Sequence, residues 1–350
     1  MRALITGATG FLGRSLVRRL TQQGHDVTAL VRPRSRSEPD PVDELRGYRA
    51  NTVEGTVFDA DALAEAIENR DVIFHLGWQW HRPNISGAPD AGTTAEQWHV
   101  NVEGTLLLIA AAKRAGARRL IFTSTISVYP PVLPSPVSED GPTFSPDSLR
   151  GHPAADYVAP KLAVEEMIRH LLPPPDYVIL RPSMIYGIGA QFAPWMIRDI
   201  LQSSPRRMVH EANWVHVDDV ARAAILAAEE PEVAGMTLNI AGRETVGSDQ
   251  LRSAIHRIAE RLMDNQTSGV EPDFNLLTDR YDIGKARRYL GFETEISLTQ
   301  GLEEMVPAAL QQVLAEPQPT APLRQPWGGS RTTGMAAGWG ARRPGTPWRS

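Results

Sequence analysis

Arg2-Ala3-Leu4-Ile5-Thr6-Gly7-Ala8-Thr9-Gly10-Phe11-Leu12-Gly13 is the stretch whose reading decides the fold. A short apolar run breaks into three glycines spaced three apart, after which Leu12, Leu16, Val17 and Leu20 recur at helical spacing. The pattern reads as strand, glycine turn, helix. Gly24 stops the helix, and Asp26 to Val31 reads as a second buried strand. The first 31 residues therefore form a βαβ unit, which implies a parallel sheet. A glycine turn in this context lets backbone pass close to a pyrophosphate, and the helix behind it offers free N–H groups and the positive end of its dipole. The expectation is a dinucleotide site.

Working outward, the alternation continues. Val53 to Phe58 reads as a strand, Asp61 to Asn69 as a helix and Val72 to Leu76 as a strand; Ala95 to Ala115 reads as a long helix ended by Gly116, and Leu120 to Ser124 as a strand. Seven prolines between Pro130 and Pro153 mark a surface loop. Tyr157 to Leu172 is helical and Tyr177 to Leu180 extended. The fold class expected is α/β, a doubly wound parallel sheet of the Rossmann kind, over residues 1–182. After Pro182 the helical stretches Phe192–Gln202, Val220–Ala228 and Leu251–Met263, with a short strand at Trp214–Val217, predict a smaller substrate-binding lobe over residues 183–315, some of whose segments return to the sheet. Residues 316–350 hold five arginines from Arg324 onward, three tryptophans and no apolar period, and are expected to be a disordered tail.

Thirty-six basic and 41 acidic residues leave a net charge of -5, so nucleic acid and anionic membrane surfaces are not expected partners. Zero cysteines exclude disulfides, thiolate metal sites and thiol catalysis, and no metal is expected. The longest apolar run, Leu106 to Ala112, is far shorter than the ~20 residues that span a bilayer, and no signal pattern opens the chain. A cytoplasmic protein with a small-molecule substrate is expected.

The chemistry-bearing residues stand near the ends of the strands. In many dinucleotide folds an acid after the second strand binds the adenosine ribose; here Arg32, Arg34 and Arg36 follow Val31, and an arginine suits a 2′-phosphate, so NADP is expected over NAD. Tyr157 and Lys161 lie four apart on one helix, where an ammonium favours the phenolate form of its neighbour. The hydroxyls of Thr123, Ser124 and Thr125 follow a strand that ends at the same sheet edge. Trp78, Trp80, Trp98 and His81 surround the loop after the fourth strand, either as a wall for a flat or apolar ligand or as core.

These motifs resemble those of the extended short-chain dehydrogenase/reductases, the NAD-dependent epimerase/dehydratase family, from Met1 to about Val306. The resemblance rests on Thr6 to Gly13, Asp71 to Leu76, Asn101 to Thr105, Phe122 to Thr125 with Val128-Tyr129, Tyr157 to Lys161, Leu180-Arg181-Pro182 with Tyr186-Gly187, and Val215 to Val220. It implies that Tyr157 exchanges a proton with the substrate oxygen. Lys161 would lower its pKa and hold the nicotinamide ribose, and Thr125 would hydrogen-bond the same oxygen. It also implies cofactor contacts from Gly7, Thr9, Gly10, Phe11, Leu12, Gly13, Arg32, Val57, Asp59, Leu76 and Asn101. His75 is expected to be structural, and His216 and Asp219 to brace the C-terminal lobe. A homodimer through the Ala95–Ala115 and Tyr157–Leu172 helices is also implied.

This chain departs from the family pattern at several places. Thr56 stands where an acid usually contacts adenine, and Pro160 precedes Lys161. Ala212 and Asn213 stand where nucleotide-sugar enzymes carry an arginine, with Arg206 and Arg207 nearby as substitutes. Ile126 and Ser127 replace the Asp-Glu pair of sugar dehydratases. The reading is an NAD(P)-dependent oxidoreductase acting on a ketone or secondary alcohol. The rivals are a nucleotide-sugar epimerase and a non-catalytic NADP-binding sensor.

Overall fold

At the centre of the sheet nearly every strand position is buried, because helices cover both faces. Strand β1 (Arg2–Thr6) buries Ala3 to Thr6 in succession. In a computed structural model, residues 1–33, 41–79, 94–152, 154–173, 176–190, 193–201, 212–243, 245–263 and 280–315 are described. After β1 come α1 (Phe11–Gln22), β2 (Asp26–Val31), α2 (Pro41–Gly47), β3 (Asn51–Glu54), α3 (Ala60–Ile67) and β4 (Val72–His75). They are followed by α4 (Thr94–Trp98), α5 (Gly104–Ala115), β5 (Arg119–Thr123), α6 (Pro146–Leu149), α7 (Ala155–Leu171) and β6 (Tyr177–Pro182). The C-terminal part adds β7 (Met184–Tyr186), α8 (Ala193–Leu201), β8 (Ala212–His216), α9 (Val217–Glu229), β9 (Thr237–Ile240), β10 (Thr245–Val246), α10 (Ser248–Met263), α11 (Gly284–Leu290) and α12 (Leu298–Ala315).

The main sheet is seven-stranded in the order β3-β2-β1-β4-β5-β6-β9, with every pairing parallel. This is the doubly wound α/β fold expected. Successive residues of each strand feed opposite cores. Ile5, Phe74, Ile121 and Val178 meet Leu16 of α1 and Val220 of α9. Leu4, Ile73, Leu120 and Ile179 meet Leu63 of α3, Ile109 of α5 and Ile168 of α7. Strand order reverses between β1 and β4, and the crevice beyond their C-terminal ends is where this fold binds ligands. A three-stranded sheet, β10-β8-β7, carries a further core with α8, α10 and α12, through Met196, Ile255, Leu302 and Met305. The described residues fall in one unit, Met1–His81 with Gly92–Gln318; the other unit and the 316–350 tail lie outside them.

Several elements differ from the sequence reading. Strand β3 ends at Glu54, before the expected Val57 and Phe58, because the chain turns at Thr56 and Asp59 caps α3. The long Ala95–Ala115 helix is interrupted by a π-helical turn at His99–Glu103. There the Thr105 hydroxyl donates to the Asn101 carbonyl at 2.5 Å, competing with the helical ladder. Helix α7 begins at Ala155, so Pro160 sits in its second turn rather than its first. A proline there withholds one N–H from the ladder. The helix runs through it because Val158, Lys161, Val164 and Ile168 are buried along one side. Strand β9, absent from the sequence reading, closes the main sheet against β6.

Candidate active site

The glycine turn joins β1 to α1 at the switch point. Gly7 has a positive φ of 72°, and a Cβ there would lie 2.6 Å from the Gly77 nitrogen. A Cβ on Gly13 would lie 2.2 Å from the Gly7 carbonyl oxygen. Gly10 is the N-cap of α1 with no side-chain cap, and the first turn holds no acid. Its leading N–H groups and positive dipole end are thus open to an anion, and the turn fits a dinucleotide pyrophosphate. Leu76 lies against Gly7, its N–H donating to the Thr6 carbonyl at 3.2 Å. The Leu12 side chain is buried in the core, so only its backbone faces the turn. Phe11, beside Gly10, packs between the main and C-terminal cores, and Thr9 is half-buried.

Other expected cofactor residues stand further along the same edge. Arg32 is exposed directly after β2 and has no ion pair among the described residues, whereas Arg34 and Arg36 lie outside them. Asp59 Oδ1 accepts the Ala62 N–H at 3.2 Å as the N-cap of α3. Val57 packs toward Gly104, where an added Cβ would meet its Cγ2 at 2.8 Å. Asn101 is buried with its amide committed to one residue: Oδ1 accepts the Gln79 N–H at 2.7 Å and Nδ2 donates to the Gln79 carbonyl at 2.8 Å. Its role in the structure is to fasten the segment after β4.

Tyr157, Lys161 and Thr125 are brought together. Thr125 caps the short helical turn after β5, accepting the Ser127 N–H at 3.1 Å, and shares a side-chain hydrogen bond with Tyr157. Burial pushes the Tyr157 phenol above its ordinary range, and the Thr125 hydrogen bond opposes this. Lys161 is buried, and Nζ donates to the Thr123 carbonyl at 2.7 Å. Burial lowers its pKa to about 7, with the charge of Glu165 pulling it upward. Of the aromatic set, Trp78 stands at this site, Trp98 is partly exposed on α4, and Trp80 and His81 lie outside the described residues.

His75 is structural in this arrangement. Its Nδ1 hydrogen-bonds Thr6 Oγ1 at 2.7 Å and its Nε2 hydrogen-bonds Thr105 Oγ1 at 2.8 Å. Burial and the Lys161 charge lower its pKa to about 3, so it is neutral at physiological pH. The buried Asp219 carboxylate accepts the N–H groups of Glu295 at 3.0 Å and Ile296 at 3.2 Å. It thereby ties α9 to the segment that enters α12. His216 Nδ1 accepts the Asp218 N–H at 3.3 Å.

Glu165 is the residue that sequence reasoning missed. It continues the 157, 161 spacing by one more helical turn and is fully buried. Arg181 donates to its two oxygens at 2.9 and 2.5 Å, Ser124 at 2.5 Å and Arg169 at 2.8 Å. Burial alone would raise the Glu165 carboxyl, but these partners, Arg181 foremost, hold it below the usual carboxylate range. Arg181 also donates to the Tyr129 hydroxyl, which donates to Asn239, at 2.8 Å each. The network grips Ser124 between Thr123 and Thr125, the two residues that meet Lys161 and Tyr157. The helical spacing was a signal in the sequence, but its partner Arg181 stands on the next strand, β6, and only the fold brings the two together.

Known proteins share the family and the fold of this chain. Residues 3–241 match the sequence model of the NAD dependent epimerase/dehydratase family. The chain belongs to that family and is a nicotinamide-dinucleotide-dependent enzyme of the extended short-chain dehydrogenase/reductase type. It is 29% identical to the UDP-glucose 4-epimerase of Mycolicibacterium smegmatis, over 87% of this chain and 97% of that protein. It is 30% identical to the 4-hydroxy-2-methyl-3-oxo-4-farnesyl-3,4-dihydroquinoline-1-oxide ketoreductase of Stigmatella aurantiaca, over 65% of each. Its fold is similar to the crystal structure of a UDP-glucose-4-epimerase from Stenotrophomonas maltophila with bound NAD and formylated UDP-arabinopyranose. That similarity has a TM-score of 0.70 and 20% identity, covering 90% of this chain and all of that one. The preference for NADP expected from Arg32 finds no support among these relatives.

Proposed function

We propose that this protein reduces a ketone, or oxidises the matching secondary alcohol, with Tyr157, Lys161 and Thr125 as its reacting set. The observation that carries the reading is that Tyr157 stands against Thr125, one helical turn from the buried Lys161, whose Nζ donates to the Thr123 carbonyl at 2.7 Å. The bound dinucleotide supplies hydride chemistry at its nicotinamide. Tyr157, a phenol protonated at neutral pH, donates its proton to the substrate oxygen as a general acid. The Thr125 hydroxyl orients that oxygen, and Lys161 binds the nicotinamide ribose and favours the phenolate left behind. NAD is the cofactor this reading adopts, because the family description and the similar epimerase structure both name it. Arg32 makes NADP use the finer question. A cytoplasmic homodimer completes the reading, supported by the cysteine-free sequence and by the exposed Leu106 and Leu107 of α5.

A nucleotide-sugar epimerase is the second reading, favoured by the match along nearly the whole UDP-glucose 4-epimerase. Against it, Asn213 is buried with Nδ2 donating to the Gly242 carbonyl at 3.0 Å, where nucleotide-sugar enzymes carry an arginine. Arg206 and Arg207 lie outside the described residues. The test is absorbance at 340 nm with NADH and a carbonyl panel, beside chromatography of UDP-glucose incubated with NAD. Net NADH consumption supports the reductase. Conversion of the sugar without net cofactor change overturns it in favour of the epimerase.

A further inference from the structure

Trp78 lies three residues beyond β4, at the strand edge that also carries Thr125. Its indole is packed against the Tyr157–Lys161 pair. Lys161 Nζ is 3.6 Å from the Trp78 ring centroid, and the Tyr157 ring meets the indole edge-on at 6.5 Å with an interplanar angle of 84°. Phe122 supplies a second ring, 4.9 Å from Nζ and 6.2 Å from Trp78. Nζ also donates to the Thr123 carbonyl, and only 4% of Lys161 is exposed. An ammonium has three protons to give. Here one goes to the Thr123 carbonyl and two aromatic rings lie against the same group, so a ribose hydroxyl competes with the indole for it.

We propose that Trp78 is a positioning residue whose indole competes with the ribose hydroxyls for the Lys161 ammonium, so that dinucleotide binding displaces it. The inference rests on the reading above that Lys161 binds the nicotinamide ribose. The contact of a desolvated cation with an indole face competes with the cofactor for the same ammonium, and such a contact shifts an equilibrium by roughly three- to thirtyfold. Trp78 therefore opposes binding, the reverse of an aromatic wall that stacks on the bound cofactor.

The sign of that effect is the test. Calorimetric titration with NAD and NADP is expected to give binding about three- to thirtyfold tighter for Trp78→Leu, with Trp78→Phe between it and wild type. In parallel, the protein is labelled with 5-fluorotryptophan, and the resonance lost in Trp78→Phe is assigned to Trp78. That resonance is expected to move as the dinucleotide is added, saturating with the calorimetric curve. Unchanged or weaker binding in both variants, or a resonance that stays fixed at saturation, overturns the proposal. Failure of wild type to bind either dinucleotide overturns the cofactor reading first, and this inference with it.

Discussion

Replacing Glu165 with Gln keeps the shape of the side chain and removes the charge that compensates Arg181. Glu165 is fully buried and Arg181 is 3% exposed, so the guanidinium left behind has no water to turn to. Breaking a buried pair from one side costs about 3–5 kcal/mol, a large part of the roughly 5–15 kcal/mol that separates a folded domain from its unfolded chain. For a chain of this size that corresponds to a fall in Tm of about 5–15 °C. The pH dependence has a definite sign. The folded Glu165 carboxyl sits below its unfolded range, so its contribution is complete above ~4.3 and is lost as pH falls through the lower folded value. Urea unfolding at pH 7.5 is therefore expected to show Glu165→Gln destabilised by about 3 kcal/mol or more, with the gap to wild type narrowing below pH ~4.3. A gap under ~1 kcal/mol at pH 7.5, or one that widens on acidification, refutes the argument that this pair anchors Ser124 and its neighbours.

Lys161→Met tests the other buried charge. The folded pKa is lowered to about 7 and the unfolded value is near ~10.4, so the wild type gains stability as pH rises between them. The variant is expected to be at least as stable as wild type at pH 6.5 and to lose that advantage by pH 10 in chemical unfolding; a pH-independent gap contradicts this. Gly13→Ala drives a Cβ to within 2.2 Å of the Gly7 carbonyl oxygen, and calorimetry is expected to show dinucleotide binding weakened at least a hundredfold or lost. Arg32→Asp is expected to weaken NADPH binding about tenfold or more while leaving NADH within about threefold; equal losses for both would remove Arg32 from the adenosine end.

The first βαβ unit was legible to the residue: Arg2–Thr6 and Asp26–Val31 are strands as read, because apolar runs and a glycine turn are local signals. Strand β3 was misplaced because it is a four-residue strand at the sheet edge with its side chains only partly covered, which leaves little hydrophobic pattern. The π-helical turn was hidden because it accompanies the clasp of Asn101 on Gln79, a contact between segments. β9 was missed for a similar reason, since its partner β6 lies more than fifty residues earlier. At the site, the spacing of Tyr157 and Lys161 and the position of Thr125 were readable, since a helix repeats and a strand ends predictably. The Glu165 network and the indole over Lys161 depend on which distant side chains meet, and no local pattern encodes that.

The most direct measurement is single-turnover transfer of deuterium from labelled NADH to the carbonyl compound that the enzyme reduces, comparing wild type with Tyr157→Phe after calorimetry has shown that both bind NADH. The account predicts unchanged cofactor affinity within about twofold and transfer slowed by roughly 10²–10⁴, the worth of a positioned general acid. Equal transfer rates in the two proteins would contradict it and remove Tyr157 from the chemistry.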